Sequence, residues 1–381
     1  MTRRPGPADT GDHAHAPSTP AWTPPLDESQ YEAWFDGEDA IVALREYDVD
    51  REYELPLDIR SFRLGGSRSC EISLPGRGLS AVHCLLERRG RRLLVHDQQS
   101  THGTIHDGRK IEVAELHPGD CFTAVPVTFV ALNQELRTQR PLLVELLGTD
   151  VAPWSPDRLM IEAARGAGNL LITGEAGCEH GRLARAIHAM SLRRNRPFVE
   201  CLQVPADRAA QAALIKRAAR STLMLAVTNR MPALDPTFCS MLFSPDYHVR
   251  VIVTAPAHAT ARRAIPGEHV DQMPHVWIPP VRARAADLPA IFDRLLAERG
   301  APIRFADLTD ANRARLLAHD WRGNWSDLRT TADRLTAIAR APGWEALDWR
   351  DRATMLGIAK STLHDWYRAL QLTRPLLAGS R

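Results

Sequence analysis

Gly174-Glu175-Ala176-Gly177-Cys178-Glu179-His180-Gly181, running into Arg182-Leu183-Ala184-Arg185-Ala186-Ile187-His188, decides how the middle of this chain is read. The apolar run Asn169-Leu170-Leu171-Ile172-Thr173 predicts a buried strand before it, and the glycine-rich turn opens a helix after it. That is the frame of a phosphate-binding loop. A working loop of this kind cradles phosphates with backbone N–H groups and sets a lysine on the β- and γ-phosphates. Here His180 stands at the lysine position and Glu179 replaces the glycine before it. A glutamate carboxylate repels a polyphosphate, and a neutral imidazole does not replace a fixed ammonium charge. The chain's lysines are Lys110, Lys216 and Lys360, none of them nearby. Gly174, Gly177, His180 and Gly181 are therefore read as a degenerate nucleotide loop. A plain strand–turn–helix without a nucleotide role stays open on these residues alone.

Working outward, the 381 residues suffice for two or three domains, each with its own core. Hydrophobic content of 44% and charge of 25% are ordinary for globular protein. A net charge of +2 sets up no global field that demands nucleic acid or membrane. Cys70, Cys84, Cys121, Cys178, Cys201 and Cys239 form no CxxC pair, so they read as small buried residues in a reducing compartment with no metal. No apolar run approaches the ~18 residues of a membrane helix, so the expectation is a soluble cytoplasmic protein without membrane partners.

Residues 1–30, rich in Pro, Thr, Asp and His, are expected to be a disordered tail. Residues 31–135 predict an all-β sandwich, from short alternating runs at 53–57, 61–64, 70–74, 83–87, 92–97 and 122–132 between turn residues. From about 141 the pattern becomes strand–helix alternation: helices at 156–167, 182–193 and 206–220, strands at 170–173, 222–227 and 249–254. It implies a mostly parallel α/β sheet over 141–284. Helices at 286–299, 310–319 and 325–341 make a helical lid over 285–345, and 346–381 closes the chain as a helix–turn–helix.

The β region resembles a forkhead-associated (FHA) domain. The resemblance is carried by Leu64-Gly65, Cys70-Glu71-Ile72, Leu79-Ser80-Ala81-Val82-His83-Cys84, Asp97-Gln98-Gln99-Ser100-Thr101-His102-Gly103-Thr104, Asp107-Gly108 and Pro118-Gly119-Asp120. It implies phosphothreonine-peptide binding by hydroxyls, backbone N–H groups and an arginine. Ser80 and Thr101 match the phosphate-contacting hydroxyls, Gly65 the tight turn and His83 a buried structural histidine. Gly66 stands where such domains carry the phosphate-binding arginine, and His102 where they carry the loop-fixing asparagine. Arg68, in the same loop, is the candidate replacement charge. The phosphopeptide set is Gly65, Arg68, Ser80, Thr101 and His102. The alternative is a retained fold that binds an unphosphorylated partner or the neighbouring domain.

The central region resembles the AAA+ domain of sigma-54-dependent activators. The carriers are Gly174 to His188, Ser191, Arg196-Pro197-Phe198-Val199, Ser221-Thr222-Leu223-Met224-Leu225, Val249-Arg250-Val251-Ile252, Pro279-Pro280-Val281-Arg282-Ala283-Arg284 with Asp287-Leu288-Pro289, and Trp321-Arg322-Gly323-Asn324. The resemblance implies a magnesium-dependent ATPase, yet the stations are altered. Ala226 and Val227 replace the metal-holding acid and the water-activating glutamate, Pro256 the sensor asparagine and Ser326 the sensor arginine. Val270 falls near the arginine-finger position. Charged groups in phosphoryl transfer are worth about 10³–10⁵ in rate, so no ATPase, no catalytic residue and no cofactor is expected. The long insertion carrying the sigma-contacting loop is missing as well: only Glu200 to Arg220 lie between the strands concerned. A weak ATPase with repositioned residues is the third-ranked alternative.

The C-terminal strip from Arg352 to Leu372 reads as helix–turn–helix and resembles a Fis-type DNA-binding domain. Ala353, Leu356, Ile358, Leu363, Tyr367 and Leu370 fall on the packed face. Lys360, Ser361, Thr362, His364 and Arg368 fall on the outward face as DNA contacts. From Arg350 to Arg381 there are six Lys/Arg against two Asp/Glu. The expected partners are DNA, a phosphothreonine protein or Ser/Thr kinase, and homo- or hetero-oligomers with related activators. The leading function is a DNA-binding transcriptional regulator with a non-hydrolysing AAA+ domain. The alternative is a non-DNA FHA adaptor in a Ser/Thr kinase pathway.

Overall fold

The computed structural model describes residues 40–378 other than 48, 50, 91, 149–155, 167 and 342, and of 156–159 only the backbone. The tail expected over 1–30 lies outside the described residues.

Two sheets form the N-terminal sandwich. One runs β2 (Arg51–Glu54), β1 (Ile41–Glu46), β11 (Val127–Asn133), β10 (Cys121–Ala124), β7 (Thr104–His106) and β8 (Arg109–Ile111). The other runs β4 (Ile72–Ser73), β3 (Ser61–Gly65), β5 (Cys84–Arg89), β6 (Arg92–Asp97) and β9 (Val113–Leu116). Pairing is antiparallel except between β3 and β4. Alternation along β5 and β6 points Cys84, Leu86, Leu93 and Val95 into a core completed by Leu64, Phe122 and Phe129. The run expected as one strand over 122–132 is two strands, because Val125-Pro126 makes the turn between β10 and β11. The alternation did not reveal β1, β7, β8 or β9.

The sandwich passes into the next layer without a spacer. Asn133 ends β11 and caps the helix Gln134–Leu147, its side chain accepting from the Leu136 N–H at 2.8 Å. Arg137 on this helix reaches back to Glu52 at 2.7 Å and Glu54 at 3.1 Å on β2. The boundary expected between 135 and 141 thus falls inside a helix. A single apolar cluster runs from Ala43 and Val130 of the sandwich through Leu136 and Leu143 into the later helices.

The middle layer is an all-parallel sheet in the order β13 (Phe198–Cys201), β14 (Thr222–Ala226), β15 (Arg250–Ala255), β12 (Leu170–Thr173) and β16 (His275–Trp277). Its central strands are buried throughout, as a sheet covered on both faces requires. Buried Arg250 donates to the Ala163, Ala164 and Gly168 carbonyls and so caps the helix Pro156–Arg165. Burial pushes its pKa down to about 10, which leaves it charged at neutral pH. Helices Leu288–Glu298, Asp310–Ala318 and Trp325–Arg340 form the lid around Phe292, Trp321 and Trp325. Helices Trp349–Met355 and Lys360–Ala369 follow and share that core through Leu363, Trp366 and Tyr367.

Candidate functional site

At one end of the sandwich the loops bring two hydroxyls together. Ser80 Oγ lies 3.3 Å from Thr101 Oγ1 and accepts the Thr101 N–H at 3.0 Å. Asp97 shapes the loop beneath them. Its carboxylate takes the Ser100 N–H at 3.0 Å, the Ser100 hydroxyl at 2.6 Å and the Thr104 hydroxyl at 2.7 Å. Burial alone would raise the Asp97 pKa, but these hydrogen bonds prevail and hold it down. His83 is fully buried; its Nε2 donates to the Gly103 carbonyl at 3.1 Å, which ties the loop to β5. Gly65 is required by close approach, since a Cβ there would lie 2.4 Å from the Ala81 carbonyl oxygen. Thr101, His102 and Arg68 are exposed and Ser80 is half-buried. Gly65, Ser80 and Thr101 thus come together, with Arg68 and His102 following in the same loops, and Arg68 has no ion-pair partner among the described residues.

The glycine turn takes the expected strand–turn–helix path, from β12 into the helix His180–Ala189. Gly177 has φ +80°, and a Cβ on it would fall 2.2 Å from the Gly323 carbonyl oxygen, so the lid backbone rests directly on the turn. Buried Asn324 donates to the Ala176 carbonyl at 2.9 Å and accepts the Val281 N–H at 2.9 Å. The Trp325 N–H donates to the Gly177 carbonyl at 3.2 Å. Glu175 forms a two-pronged pair with Arg282, which holds its carboxyl below the ordinary range. Glu179, at φ +64°, occupies the left-handed region that favours glycine and pairs with Arg329 of the lid. The His180 ring turns inward, and its Nε2 donates to the Gly174 carbonyl at 2.9 Å. Burial lowers the His180 pKa, so the imidazole is neutral at pH 7. The same burial raises the neighbouring Cys178 thiol to about 11.

A second ionic centre flanks the turn. Glu145, buried near the end of the helix Gln134–Leu147, meets Arg182 at 2.8 Å, Arg294 at 3.2 Å and Arg329 at 3.8 Å. Three elements of the fold thus converge on one carboxylate. Arg284 donates to the Val144 and Glu145 carbonyls at the same helix end, with Asp287 beside it at 2.8 Å. Sequence reasoning did not find Glu145, Arg182, Arg282, Asn324 or Arg329 as members of this cluster. Ala226 ends β14, buried Val227 follows it, and Pro256 follows β15. Val270 is fully buried and Ser326 is exposed. Among the described residues no cluster of His, Cys, Asp and Glu could hold a metal ion.

In the tail, Lys360, Ser361, Thr362 and Arg368 are exposed as expected. His364 is not turned outward: it is half-buried, and its ring packs against Trp349 at 4.2 Å between centroids, tilted by 30°. Trp366 points into the core, where Arg334 lies over its ring at 5.3 Å. Arg368 has Asp365 at 3.8 Å. The segment after the second helix folds back on the lid. Buried Asn312 donates to the Thr373 carbonyl at 2.9 Å and accepts the Thr373 N–H at 2.8 Å. The Ala378 N–H donates to the Asp307 carbonyl at 2.8 Å, and Leu308 bridges Leu377.

Residues 62–124 match the FHA domain family. An acetoin catabolism regulatory protein of Cupriavidus necator is 28% identical over 207 residues, covering 45% of this chain and 31% of that relative's length. NtrX from Brucella abortus, solved in complex with ATP, is 20% identical with a TM-score of 0.40, over 56% of this chain and 67% of that one. A structure solved in a study of phosphothreonine-dependent FHA domain interactions is 24% identical with a TM-score of 0.22. It covers 24% of this chain and 93% of that one. The chain thus carries an FHA domain, followed by an α/β layer and a helical C-terminal region. Among the described residues no helix is long and apolar enough to cross a membrane.

Proposed function

We propose that this chain is a cytoplasmic regulator of transcription that senses a phosphothreonine-bearing partner through its FHA domain. Its middle third acts as a scaffold that does not hydrolyse ATP, and its tail finds DNA. The observation that carries the reading is the glycine turn. Where a triphosphate needs a fixed positive charge, His180 is neutral and hydrogen-bonded to Gly174. Glu175 and Glu179 face the same turn, each already paired with an arginine of the later part of the chain. A polyphosphate would have to displace these pairs and sit beside two carboxylates. With Ala226 and Val227 at the strand end, no side chain there holds a metal or accepts a proton.

The regulator therefore acts by occupancy. It represses, competes with intact activators for sites, or enters their assemblies as a passive subunit. The helix–turn–helix presents Lys360, Ser361, Thr362 and Arg368 to the phosphate backbone. A second reading, a non-DNA adaptor for a Ser/Thr kinase or its substrate, draws on one specific observation. His364 and Trp366 turn into the protein and the tail is strapped to the lid. Gel-shift titration with genomic fragments separates the two. The regulator predicts sequence-preferring, salt-sensitive binding, weakened in Lys360→Ala and Arg368→Ala with a salt slope reduced by about 1 each. Absence of binding at moderate salt would leave the adaptor.

A further inference from the structure

A phosphate at the sandwich rim needs a cation as well as hydroxyls, because the strong contacts to phosphate are charge-assisted. The loop that leaves β3 does not supply one at Gly66, where a Cβ would already lie 3.0 Å from the Leu79 carbonyl oxygen. Its neighbours are committed. Arg63 is held by Glu71 at 2.9 Å and by the Ser69 carbonyl at 2.6 Å. Arg77 is paired with Glu46. Arg68 is exposed, and no ion pair or hydrogen bond fixes its side chain among the described residues.

Lys110 on β8 is different. Its stem lies across Gly103, two residues past Thr101. A Cβ on Gly103 would fall 2.1 Å from Lys110 Cε and 2.9 Å from Nζ. Gly103 is buried at φ +86°; its N–H donates to Ser100 Oγ at 3.0 Å and its carbonyl accepts from His83 Nε2. The turn that carries Thr101 is thus fixed, and the lysine is draped over it through contact of its methylenes. Lys110 has no ion-pair partner among the described residues, so its charge is uncommitted.

We propose that Lys110 is the cation of the phosphate site, delivered from the β7–β8 hairpin across Gly103, and that it makes the site prefer phosphorylated over plain threonine. This rests on the phosphothreonine reading above. A lysine contributes a point charge and not a two-pronged fork, so the preference is salt-sensitive.

The test uses the full chain. A degenerate phosphothreonine peptide library is enriched on the wild type, and the enriched peptide is then measured by fluorescence anisotropy with and without its phosphate. Lys110→Met keeps the stem and removes the charge; it should weaken the phosphopeptide about tenfold, or 1.4 kcal/mol, and leave the plain peptide unchanged. Lys110→Arg should restore binding to within about threefold, and Arg68→Ala should weaken it less than Lys110→Met does. Wild-type binding by Lys110→Met, or transfer of the loss to Arg68→Ala, overturns the proposal while leaving the phosphothreonine reading intact. Failure of the wild type to prefer any phosphorylated peptide overturns both.

Discussion

Replacing Glu145 by glutamine removes the charge at the centre of the cluster and keeps the side chain's shape. Glu145 is 9% exposed, and its partners Arg182, Arg294 and Arg329 are 37%, 34% and 33% exposed. At an effective dielectric constant of about 20, each close pair is worth roughly 4 kcal/mol before desolvation. Breaking a fully buried pair costs about 3–5 kcal/mol, but each arginine side chain is about a third exposed, so these pairs are partly screened. The net loss should be about 2 kcal/mol, most of it from removing the anion that Arg182, Arg294 and Arg329 share, although Arg329 keeps Glu179 and Arg294 keeps Glu298 at 3.7 Å. With an unfolding entropy of about 2.1 cal/mol/K per residue over a unit of roughly 340 residues, Tm should fall by about 3 °C. Differential scanning calorimetry of wild type and variant reads this directly. The gap should narrow as salt rises, because the guanidinium groups reach solvent. A Tm within about half a degree of wild type would refute the view that this carboxylate holds the sandwich-proximal helix, the turn helix and the lid together.

Two further outcomes follow from the geometry. Burial lowers the pKa of His83, His180, His188 and His275 below the ordinary 6.5. A depressed histidine stabilises the fold fully above about pH 6.5 and loses that contribution as pH falls, because the unfolded chain binds the proton more readily. The urea midpoint should therefore be lower at pH 5.5 than at 7.5, and an equal or higher midpoint at 5.5 would contradict it. Asn312→Ala strips the tail of its buried anchor and removes its hydrogen bonds to the Thr373 carbonyl and N–H, at about 0.5–1.5 kcal/mol each. Hydrogen exchange at the Leu376 and Ala378 amides should quicken at least about tenfold; unchanged exchange would mean the tail is held elsewhere.

Much of this architecture is legible in the sequence because its signals are local. Period-two runs such as Arg92 to Asp97 give the sandwich strands, and the apolar run at Leu170 to Thr173 gives the central strand. The helix Gln134–Leu147 is not legible in the same way, because Pro141 inside it reads as a breaker. The strand His275–Trp277 is too short to show a period. The glycine turn is readable as a turn, but what covers it is not. Glu175 meets a residue 107 positions away, Ala176 one 148 away and Glu179 one 150 away. His364 obeys the helical period that places it outward, and only the tertiary position of Trp349 turns it into a packing partner. Lys110 carries no signal in the sequence, since its relation to Gly103 depends on the β7–β8 pairing.

The claim on which the rest depends is that the middle layer keeps the path of a phosphate-binding loop while its own side chains occupy the charges around it. Isothermal titration of the full chain with ATP and Mg²⁺, followed by phosphate-release measurement on the same sample, tests this most directly. The prediction is no saturable heat and no release above buffer. Saturable, magnesium-dependent binding with turnover would contradict it.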